Sequence, residues 1–230
     1  DPGAFSMGTR LQTRTLSLAA TRIGVQTNIS LTQTASDAIG SIITSLQTIR
    51  TLALNSSSAT TTTADRAANQ VQVNDLIAEI NRISASPFFN GKSLLNGDYK
   101  AGKSTLFFQV GPDSGSDNQI TMNIRTMSAA ALGVNDVDVR SINSALAGLD
   151  DIDSAINVST AEDANVGGKQ NRLESAEDNL SDSILNHRSA ISTLLDADLA
   201  EAAIDQARGA LLRDTSVSAL AQANIFPRDV

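Results

Sequence analysis

The last third of the chain, from Gly168 to Asn224, contains no proline and carries an apolar residue at every third or fourth position. This spacing places the apolar side chains on one face of an α-helix. A helix over about residues 139–223 would be about 130 Å long, whereas a compact domain of 230 residues measures about 45 Å across. The sequence therefore predicts a mainly α fold, a long antiparallel helical rod or coiled-coil bundle.

The composition narrows the possible functions. Apolar residues make up 41% of the chain but aromatic residues only 3%, and small and aliphatic side chains suit close helix–helix seams. A net charge of −8 argues against nucleic-acid binding, which needs a basic surface. The chain has no cysteine, and His187 is its single histidine, which excludes disulfides and multi-histidine metal sites. No apolar run approaches the roughly 20 residues of a membrane span, and no cleaved signal is evident.

Three helices and one β-hairpin are predicted along the chain. The helices are expected at about 6–55, 64–85 and 139–195, and the hairpin at about 104–124. The Ser/Thr run at 56–63 is expected to separate the first two helices because hydroxyl side chains compete for backbone hydrogen bonds, and Pro87 to end the second. In the hairpin, apolar and polar residues alternate on either side of the turn-forming segment 111–118.

The apolar stripe in the last helix predicts where it finds its partners. From Leu173 to Leu194 the stripe is expected to pack on the two N-terminal helices. Gly167 and Gly168 are expected to loosen the helix, and Asp196 and Asp198 to cap a separate terminal helix. Beyond that point an apolar face has no predicted partner within the chain, which favours an intermolecular seam or a chaperone-binding face; it consists of Leu199, Ile204, Ala207, Leu211 and Leu220.

One motif is typical of an enzyme. Residues Gly97 to Ser104 satisfy the P-loop pattern G-x-x-x-x-G-K-S at each specified position. A phosphate-binding loop leaves a buried strand and opens a helix, whereas this segment follows a stretch too short for a core strand and leads into a predicted strand. Nucleotide binding is therefore only a distant alternative, and we predict no catalytic residues and no cofactor.

Other polar features favour a structural interpretation. His187 lies on the apolar stripe, where packing is favoured over catalysis. The acidic cluster Asp150, Asp151 and Asp153 lacks the spacing of a calcium loop and is predicted to be a solvated helix face. A metal pair at Asp196 and Asp198 is less favoured than helix capping. The Ser/Thr run at 56–63 could accept O-linked sugars, although a plain connecting loop is favoured.

Several strings in order along the chain resemble bacterial flagellin, the filament protein of the flagellum. They begin with Asp1-Pro2-Gly3-Ala4-Phe5-Ser6 and Ile29-Ser30-Leu31-Thr32-Gln33-Thr34-Ala35. They continue with Leu46-Gln47-Thr48-Ile49-Arg50-Thr51-Leu52-Ala53 and Phe89-Asn90-Gly91-Lys92-Ser93-Leu94-Leu95. They end with Gln170-Asn171-Arg172-Leu173-Glu174, Asp196-Ala197-Asp198-Leu199-Ala200-Glu201 and Leu220-Ala221-Gln222-Ala223-Asn224.

The resemblance implies two domains. Residues 1–197 correspond to the family's axial rod domain, D1, and residues 198–230 to the C-terminal helix of the terminal coiled-coil domain, D0. Only about fifty residues separate Pro87 from Asp138, so the outer domains of most flagellins are expected to be absent. The N-terminal D0 segment is also expected to be missing, as in a truncated or incompletely described flagellin.

The resemblance also implies a function and its partners. The chain is expected to be a non-enzymatic subunit that polymerises into the flagellar filament outside the cell, after export by the flagellar secretion apparatus with a chaperone. Hook-associated and cap proteins are further implied partners. A hook–filament junction protein is the alternative.

One departure from the family pattern concerns innate-immune recognition. Where the family pattern recognised by a Toll-like receptor has charged residues, this chain has Thr48, Thr51 and Gln72, while Arg50 and Leu52 remain. Loss of charge-assisted contacts at a recognition face weakens binding. The sequence therefore predicts weak or absent receptor recognition, with Thr48, Arg50, Leu52 and Gln72 as candidate receptor-facing or intersubunit residues.

Overall fold

The computed structural model describes residues 2–86 and 88–223, without the side chains of a few of them, including 195–202. The helices are α1 (Pro2–Ser56), α2 (Thr63–Ala85), α3 (Ala129–Leu132) and α4 (Ile142–Ala223). The strands are β1 (Phe88–Phe89), β2 (Lys92–Ser93), β3 (Leu106–Gln109) and β4 (Gln119–Met122). The predicted mainly α fold, with long helices and a small antiparallel hairpin, is confirmed.

The chain divides into two compact units. The larger unit comprises residues 21–180, and the smaller comprises residues 1–20 with 181–230. Both α1 and α4 contribute a segment to each unit. These units do not coincide with the predicted division at residue 197, which therefore stays a prediction.

A heptad seam forms the core of the larger unit. Side chains seven residues apart are buried along α1 and again along α4, which is the periodicity of helices packed side by side. The α1 members are Val25, Thr32, Ile39, Leu46 and Ala53, and the α4 members are Ala145, Ile152, Ser159, Val166, Leu173 and Leu180. From α2, Val73, Ile77 and Ile80 complete the apolar core.

Polar contacts fix the antiparallel alignment of α1 and α4 within this unit. Arg22 Nε donates to Glu177 Oε1 at 2.7 Å, and Ser36 Oγ donates to Asp163 Oδ1 at 2.6 Å. As the residue number rises along α1, the number of its partner in α4 falls. The predicted antiparallel packing is thus present, and it is held in one register.

Side chains close the turn between α1 and α2. Thr62 caps α2 with a reciprocal capping box, in which its side chain accepts from the Asp65 N–H and the Asp65 carboxylate accepts from the Thr62 N–H. Arg66, which is buried, donates from Nε to the carbonyl oxygen of Ser56 at 2.8 Å, at the end of α1. Both helix ends therefore have partners for backbone groups that helix geometry leaves unpaired.

Strands β3 and β4 form the predicted hairpin. Leu106 pairs with Met122 and Phe108 with Ile120, and these four side chains are buried, whereas Phe107 is exposed. A second, smaller hairpin pairs β1 with β2 through Asn90 and Gly91, both with positive φ. Asn-Gly is the preferred sequence of a two-residue hairpin turn, so this element had a clear sequence signal that our predictions did not use.

The segment after β4 is fastened to several other elements. The Ile124 N–H donates to the Tyr99 carbonyl at 2.9 Å, and the Met127 N–H to the Leu95 carbonyl at 3.0 Å. Short helix α3 begins at the capping residue Ser128 and ends at Gly133, in the left-handed conformation with φ 78°. The connection to α4 is therefore ordered by backbone hydrogen bonds and caps, and not only by its apolar side chains.

One expectation about α4 is wrong, namely the separate helix start at Asp196, and the loosening expected at Gly167 and Gly168 stays a prediction. The helix runs without interruption through Gly167 and Gly168 and through Asp196 to Asp198. A glycine costs a helix only about 1 kcal/mol relative to alanine, and seam packing on both sides of the pair outweighs that cost. Aspartates cap a helix only where a preceding segment is non-helical, and here the preceding residues are helical. Pro87, predicted to end α2, lies outside the described residues, and α2 ends at Ala85.

Candidate assembly surfaces

An exposed surface with several large apolar side chains lies near the end of α4. Each side chain described between residues 203 and 222, here called the terminal stretch, is exposed. Five are large and apolar, with exposed fractions of 54–69%. They are Ile204, Leu211, Leu212, Val217 and Leu220.

The predicted terminal face is only partly one face. Ile204, Ala207 and Leu211 follow one another at steps of three and four and share a side of the helix. Leu211 and Leu212 also line a shallow cavity of about 310 Å³ with Arg208 and Thr215. At about 100° per residue, Leu220 lies roughly half a turn away from Ile204, so apolar groups occupy two sides of the terminal stretch. Leu199 falls in α4 among residues whose side chains lie outside the described part.

The predicted receptor-facing residues lie in the larger unit. Thr48 is exposed, and its hydroxyl donates to the Thr44 carbonyl of its own helix at 2.9 Å. Leu52 is half-buried and Gln72 on α2 is exposed. Thr48 and Gln72 therefore lie on the surface of the larger unit.

Arg50, by contrast, is committed to its own chain. Its guanidinium makes a two-pronged ion pair with Asp153 on α4, with Nε to Oδ1 at 2.6 Å and Nη2 to Oδ2 at 3.2 Å. The hydrogen bond from Arg50, with its positive charge, holds the pKa of Asp153 below its ordinary value. A planar guanidinium bound at both carboxylate oxygens is well oriented. Two of the five guanidinium N–H groups of Arg50 are therefore held by Asp153, which fixes the orientation of the side chain.

A second ion pair shows the same chemistry farther along the helices. Glu177 accepts from Arg22 Nε at 2.7 Å and from Gln26 Nε2 at 3.0 Å. The hydrogen bond from Arg22, followed by that from Gln26, holds the pKa of Glu177 below its ordinary value. Exposed pairs contribute little stability individually, so their main effect is to specify register.

The P-loop-like segment has the wrong geometry for phosphate binding. The residues after Ser104 enter strand β3 and not a helix N-terminus. Lys103 Nζ is paired with Asp98 Oδ1, and Asp98 also accepts from the Asn96 amide at 2.6 Å. Gly97, at φ 92°, has no room for a side chain because a Cβ there would meet Thr126 Oγ1. The glycine and lysine of the motif thus serve a tight structural turn.

The remaining polar candidates do not form a reactive centre in the described part of the chain. His187 is half-buried on α4, and its Nδ1 has no hydrogen-bond partner among the described residues. Asp153 pairs with Arg50, which separates it in role from Asp150 and Asp151. The described residues contain no group of three or more His, Cys, Asp or Glu that could hold a metal ion. Asp196 and Asp198 have side chains outside the described part.

One polar residue was missed by sequence reasoning. Glu162 on α4 is only 5% exposed, seven residues after buried Ala155 and three after buried Ser159. Its carboxylate accepts from the Arg125 backbone N–H at 3.1 Å. A charged residue at a seam position, where an apolar one is expected, was the available signal.

None of the described helices is both long and apolar enough to cross a lipid bilayer.

Comparison with protein families covers both ends of the chain. Residues 4–100 match the family described as the bacterial flagellin N-terminal helical region. Residues 149–230 match the bacterial flagellin C-terminal helical region. The two matched segments contain α2 and most of α1 and α4, which are the helices that form the core of the larger unit.

Two relatives illustrate the similarity over the whole length. Flagellin of Bacillus subtilis (strain 168) is 35% identical over 259 aligned positions, which cover 99% of this chain and 83% of the relative. The flagellar filament 33 kDa core protein of Treponema phagedenis is 33% identical, with 96% of this chain and 80% of the relative covered. Both matches extend over nearly the whole of this chain and about four-fifths of the relative.

Solved structures share the fold. The crystal structure of Bacillus cereus flagellin superposes with a TM-score of 0.59 at 24% identity, covering 69% of this chain and 88% of that one. A protein from Vibrio parahaemolyticus assigned to the flagellar hook-associated proteins gives a TM-score of 0.67 at 14% identity, covering 84% of this chain and 98% of that one. At these identities the likeness concerns the fold alone.

Proposed function

Because this chain belongs to the bacterial flagellin family and is a structural subunit of the flagellar filament, we propose that it polymerises through the terminal stretch of α4. In this proposal the larger unit, residues 21–180, is the prebuilt body of the subunit. The terminal stretch, residues 203–222, is the intersubunit contact surface, which is buried only when copies assemble. This chain is a short form of the family, with only a small hairpin segment between α2 and α4.

The exposure of the terminal stretch is the observation that supports this division. Twenty successive side chains of one helix are exposed, and five of them are large and apolar. A contiguous apolar surface in water is costly and marks an interaction site. Because the apolar groups lie on two sides of the helix, more than one neighbouring helix is needed to cover them.

A head-to-tail contact repeated along a chain of subunits explains the open filament. An interface between two different surfaces of the same protein does not close on itself, and it generates a helical polymer unless the rotation closes a ring. The terminal stretch and the body of the subunit are such different surfaces. We carry over the family's division into a rod domain, residues 1–197, and a terminal helix, residues 198–230, as part of this proposal.

The terminal stretch also suggests partners before and after assembly. A chaperone that covers Leu211 and Leu220 in the cell would prevent premature polymerisation, and the flagellar secretion apparatus would then export the subunit to the filament outside the cell. Hook-associated and cap proteins would contact the first and last subunits. We propose no catalytic role, since the P-loop-like segment and the acidic residues serve structural contacts.

Weak recognition by the innate-immune receptor is the remaining part of the proposal. Thr48 and Gln72 are uncharged, and the Arg50 guanidinium is bound at two positions by Asp153. The ion pair with Asp153 neutralises part of the Arg50 charge, which weakens the attraction that Arg50 offers to a receptor. A reporter-cell assay should give a response well below that of a flagellin with charged residues at these positions, and a full-strength response would contradict this part.

Seeded growth tests the main proposal against the hook-associated alternative. Short flagellar filaments are mixed with fresh subunits of this protein, and the filament length is followed by electron microscopy. A filament subunit lengthens the seeds in proportion to the added protein, whereas a junction protein adds once and then blocks further growth. Seeds that stay the same length would overturn the proposal.

A further inference from the structure

Two Asn-Gly dipeptides lie close together between α2 and β3, at Asn90-Gly91 and Asn96-Gly97. Asparagine is a chemically labile residue, and a glycine after it presents its backbone nitrogen to the side-chain amide without hindrance from a Cβ. Both asparagine side chains are exposed. Exposure therefore does not distinguish the two dipeptides, and the difference between them lies in hydrogen bonding and packing.

The Asn96 amide is held at both ends. Its Nδ2 donates to Asp98 Oδ2 at 2.6 Å, and its Oδ1 accepts from the Asp98 N–H at 2.9 Å. Gly97 is buried, and a Cβ added there would clash with Thr126 Oγ1. Neither the side chain of Asn96 nor the backbone of Gly97 can rotate without breaking these contacts.

The Asn90 amide lacks such restraints. Its side chain has no hydrogen-bond partner within the described part of the chain, and a Cβ added at Gly91 would meet no atom within 4 Å. The two residues form the turn between β1 and β2, with φ of 52° and 75°. Each of these strands is 2 residues long, and a short two-stranded hairpin is marginally stable. The turn can therefore open locally at little cost.

Local opening allows this dipeptide to react with itself. The Gly91 backbone nitrogen attacks Cγ of Asn90, a new C–N bond forms, and the amide nitrogen leaves as ammonia with the proton of the Gly91 N–H. The product is a cyclic imide, and water opens it at either carbonyl carbon to give aspartate or isoaspartate. The reaction consumes one water, releases one ammonia and involves no oxidation or reduction.

We propose that Asn90 is a site of spontaneous deamidation in the folded protein, whereas Asn96 is protected by its contacts with Asp98 and by the packing of Gly97 on Thr126. Water is the co-reactant, so the reaction requires no enzyme and no cofactor. The inference goes beyond the proposed function and does not depend on polymerisation.

Both products change the turn. Aspartate adds a negative charge at an exposed position. Isoaspartate also adds one carbon to the main chain, because the main chain then runs through the former side chain. The lengthened turn no longer matches the pairing of Phe89 with Lys92, since the turn sets the register of a hairpin. The pairing of β1 with β2 is therefore lost in the isoaspartyl form.

Peptide mapping by mass spectrometry tests the inference on the full chain. The folded protein is incubated in mildly alkaline buffer, which favours attack by the backbone nitrogen, and the conversion of both asparagines is followed over time. Chromatography separates the aspartyl and isoaspartyl peptides. We expect Asn90 to convert at least about tenfold faster than Asn96, because two hydrogen bonds must break before Asn96 reacts. Equal rates, or a faster Asn96, would overturn the inference.

The unfolded chain is the matched control, because both dipeptides keep their sequence there and lose their surroundings. In denaturant the two asparagines should convert at similar rates. If Asn96 stays slow after unfolding, the flanking sequence protects it and the fold does not, which contradicts the inference. If Asn90 converts only after unfolding, the turn itself is protective, and the inference is wrong.

A variant identifies the source of the ammonia. Asn90→Gly removes the reacting amide and leaves Gly-Gly, which two-residue hairpin turns also favour. The folded variant should release ammonia several-fold more slowly than the parent, with the denaturant midpoint unchanged. Release at the rate of the parent would place the reaction at another residue and would overturn the assignment to Asn90.

Discussion

Helix α4 runs without a break from a region with one buried face, in the larger unit, to the terminal stretch, where each described side chain is exposed. In the larger unit, Ile152, Val166 and Leu173 are completely buried. In the terminal stretch, Ile204 and Leu211 are 54% and 66% exposed. Both regions have apolar residues at helical spacing, so the spacing fixes the conformation but not the burial. The difference is the partner: α1 and α2 cover the first region, and nothing described covers the second.

The largest expected effect is on the free energy of unfolding, after a change in the core of the larger unit. Leu46 is completely buried in the seam of α1. Replacing it by alanine should lower the free energy of unfolding by about 2–5 kcal/mol, through lost transfer energy and a residual cavity. Chemical denaturation of the monomer measures it. Leu211→Ala is the control, and a similar loss there would mean that the terminal stretch is packed after all.

The next-largest effect is on filament elongation, and it concerns the exposed terminal stretch. Leu211→Ser should leave the denaturant midpoint of the monomer unchanged and slow seed elongation about tenfold, because it removes apolar area that is buried only in the filament. Leu146, also an exposed leucine of α4 but in the larger unit, provides the matched control Leu146→Ser. Equal slowing by both variants would remove the special role of the terminal stretch.

A smaller effect on stability is expected from removing a side-chain hydroxyl group in the larger unit, compared with one in the terminal stretch. Thr62 caps α2, and Thr62→Ala should cost about 1 kcal/mol of stability because helical N–H groups lose their acceptor. Ser216 in the terminal stretch only donates to the Leu212 carbonyl of its own helix, at 2.6 Å. Ser216→Ala should therefore leave the unfolding temperature of the monomer unchanged. A loss of stability equal to that of Thr62→Ala would contradict the difference between the two regions.

The smallest effect is the pH dependence of the register-setting pairs. Asp153 and Glu177 have pKa values lowered by hydrogen bonds from Arg50 and Arg22, respectively. Their contribution is therefore fully present above about pH 5, and it is lost as the pH falls through their ordinary values near 4 toward their folded values. The unfolding temperature should fall over this range.

A double variant isolates that contribution. Asp153→Asn combined with Glu177→Gln removes both titrating groups, so its unfolding temperature should fall less between pH 5 and pH 3 than that of the parent. Differential scanning calorimetry at several pH values makes the comparison. If the parent and the double variant lose stability in parallel, other carboxylates dominate the acid response.

Much of the fold was predictable from residue spacing. Ile39, Ile42, Leu46 and Ile49 recur at three- and four-residue spacing in α1, which places them on one helical face, and all four are completely buried. Alternation around Phe108 and Ile120 predicted the hairpin, since strands repeat every second residue. Local patterns of this kind depend only on backbone geometry, which neighbouring residues impose.

Other features depended on information that a pattern does not contain. The helix start expected at Asp196 does not occur, because α4 is continuous through that residue. The capture of Arg50 by Asp153 joins residues 103 positions apart. Arg66 closing the end of α1, and Glu162 holding the Arg125 N–H, likewise require the helices to be placed first. Only the Asn90–Gly91 turn was readable locally and overlooked.

The sequence by itself determined that the chain forms long helices with apolar residues at helical spacing, and its ordered motifs determined the family. The tertiary structure decided which parts of those faces are covered within one subunit. Burial depends on which helices lie side by side, and that is settled by contacts such as Arg22–Glu177 and Ser36–Asp163 between residues distant in the chain. The same apolar spacing therefore yields a closed core up to Leu180 and an open, assembly-ready surface in the terminal stretch.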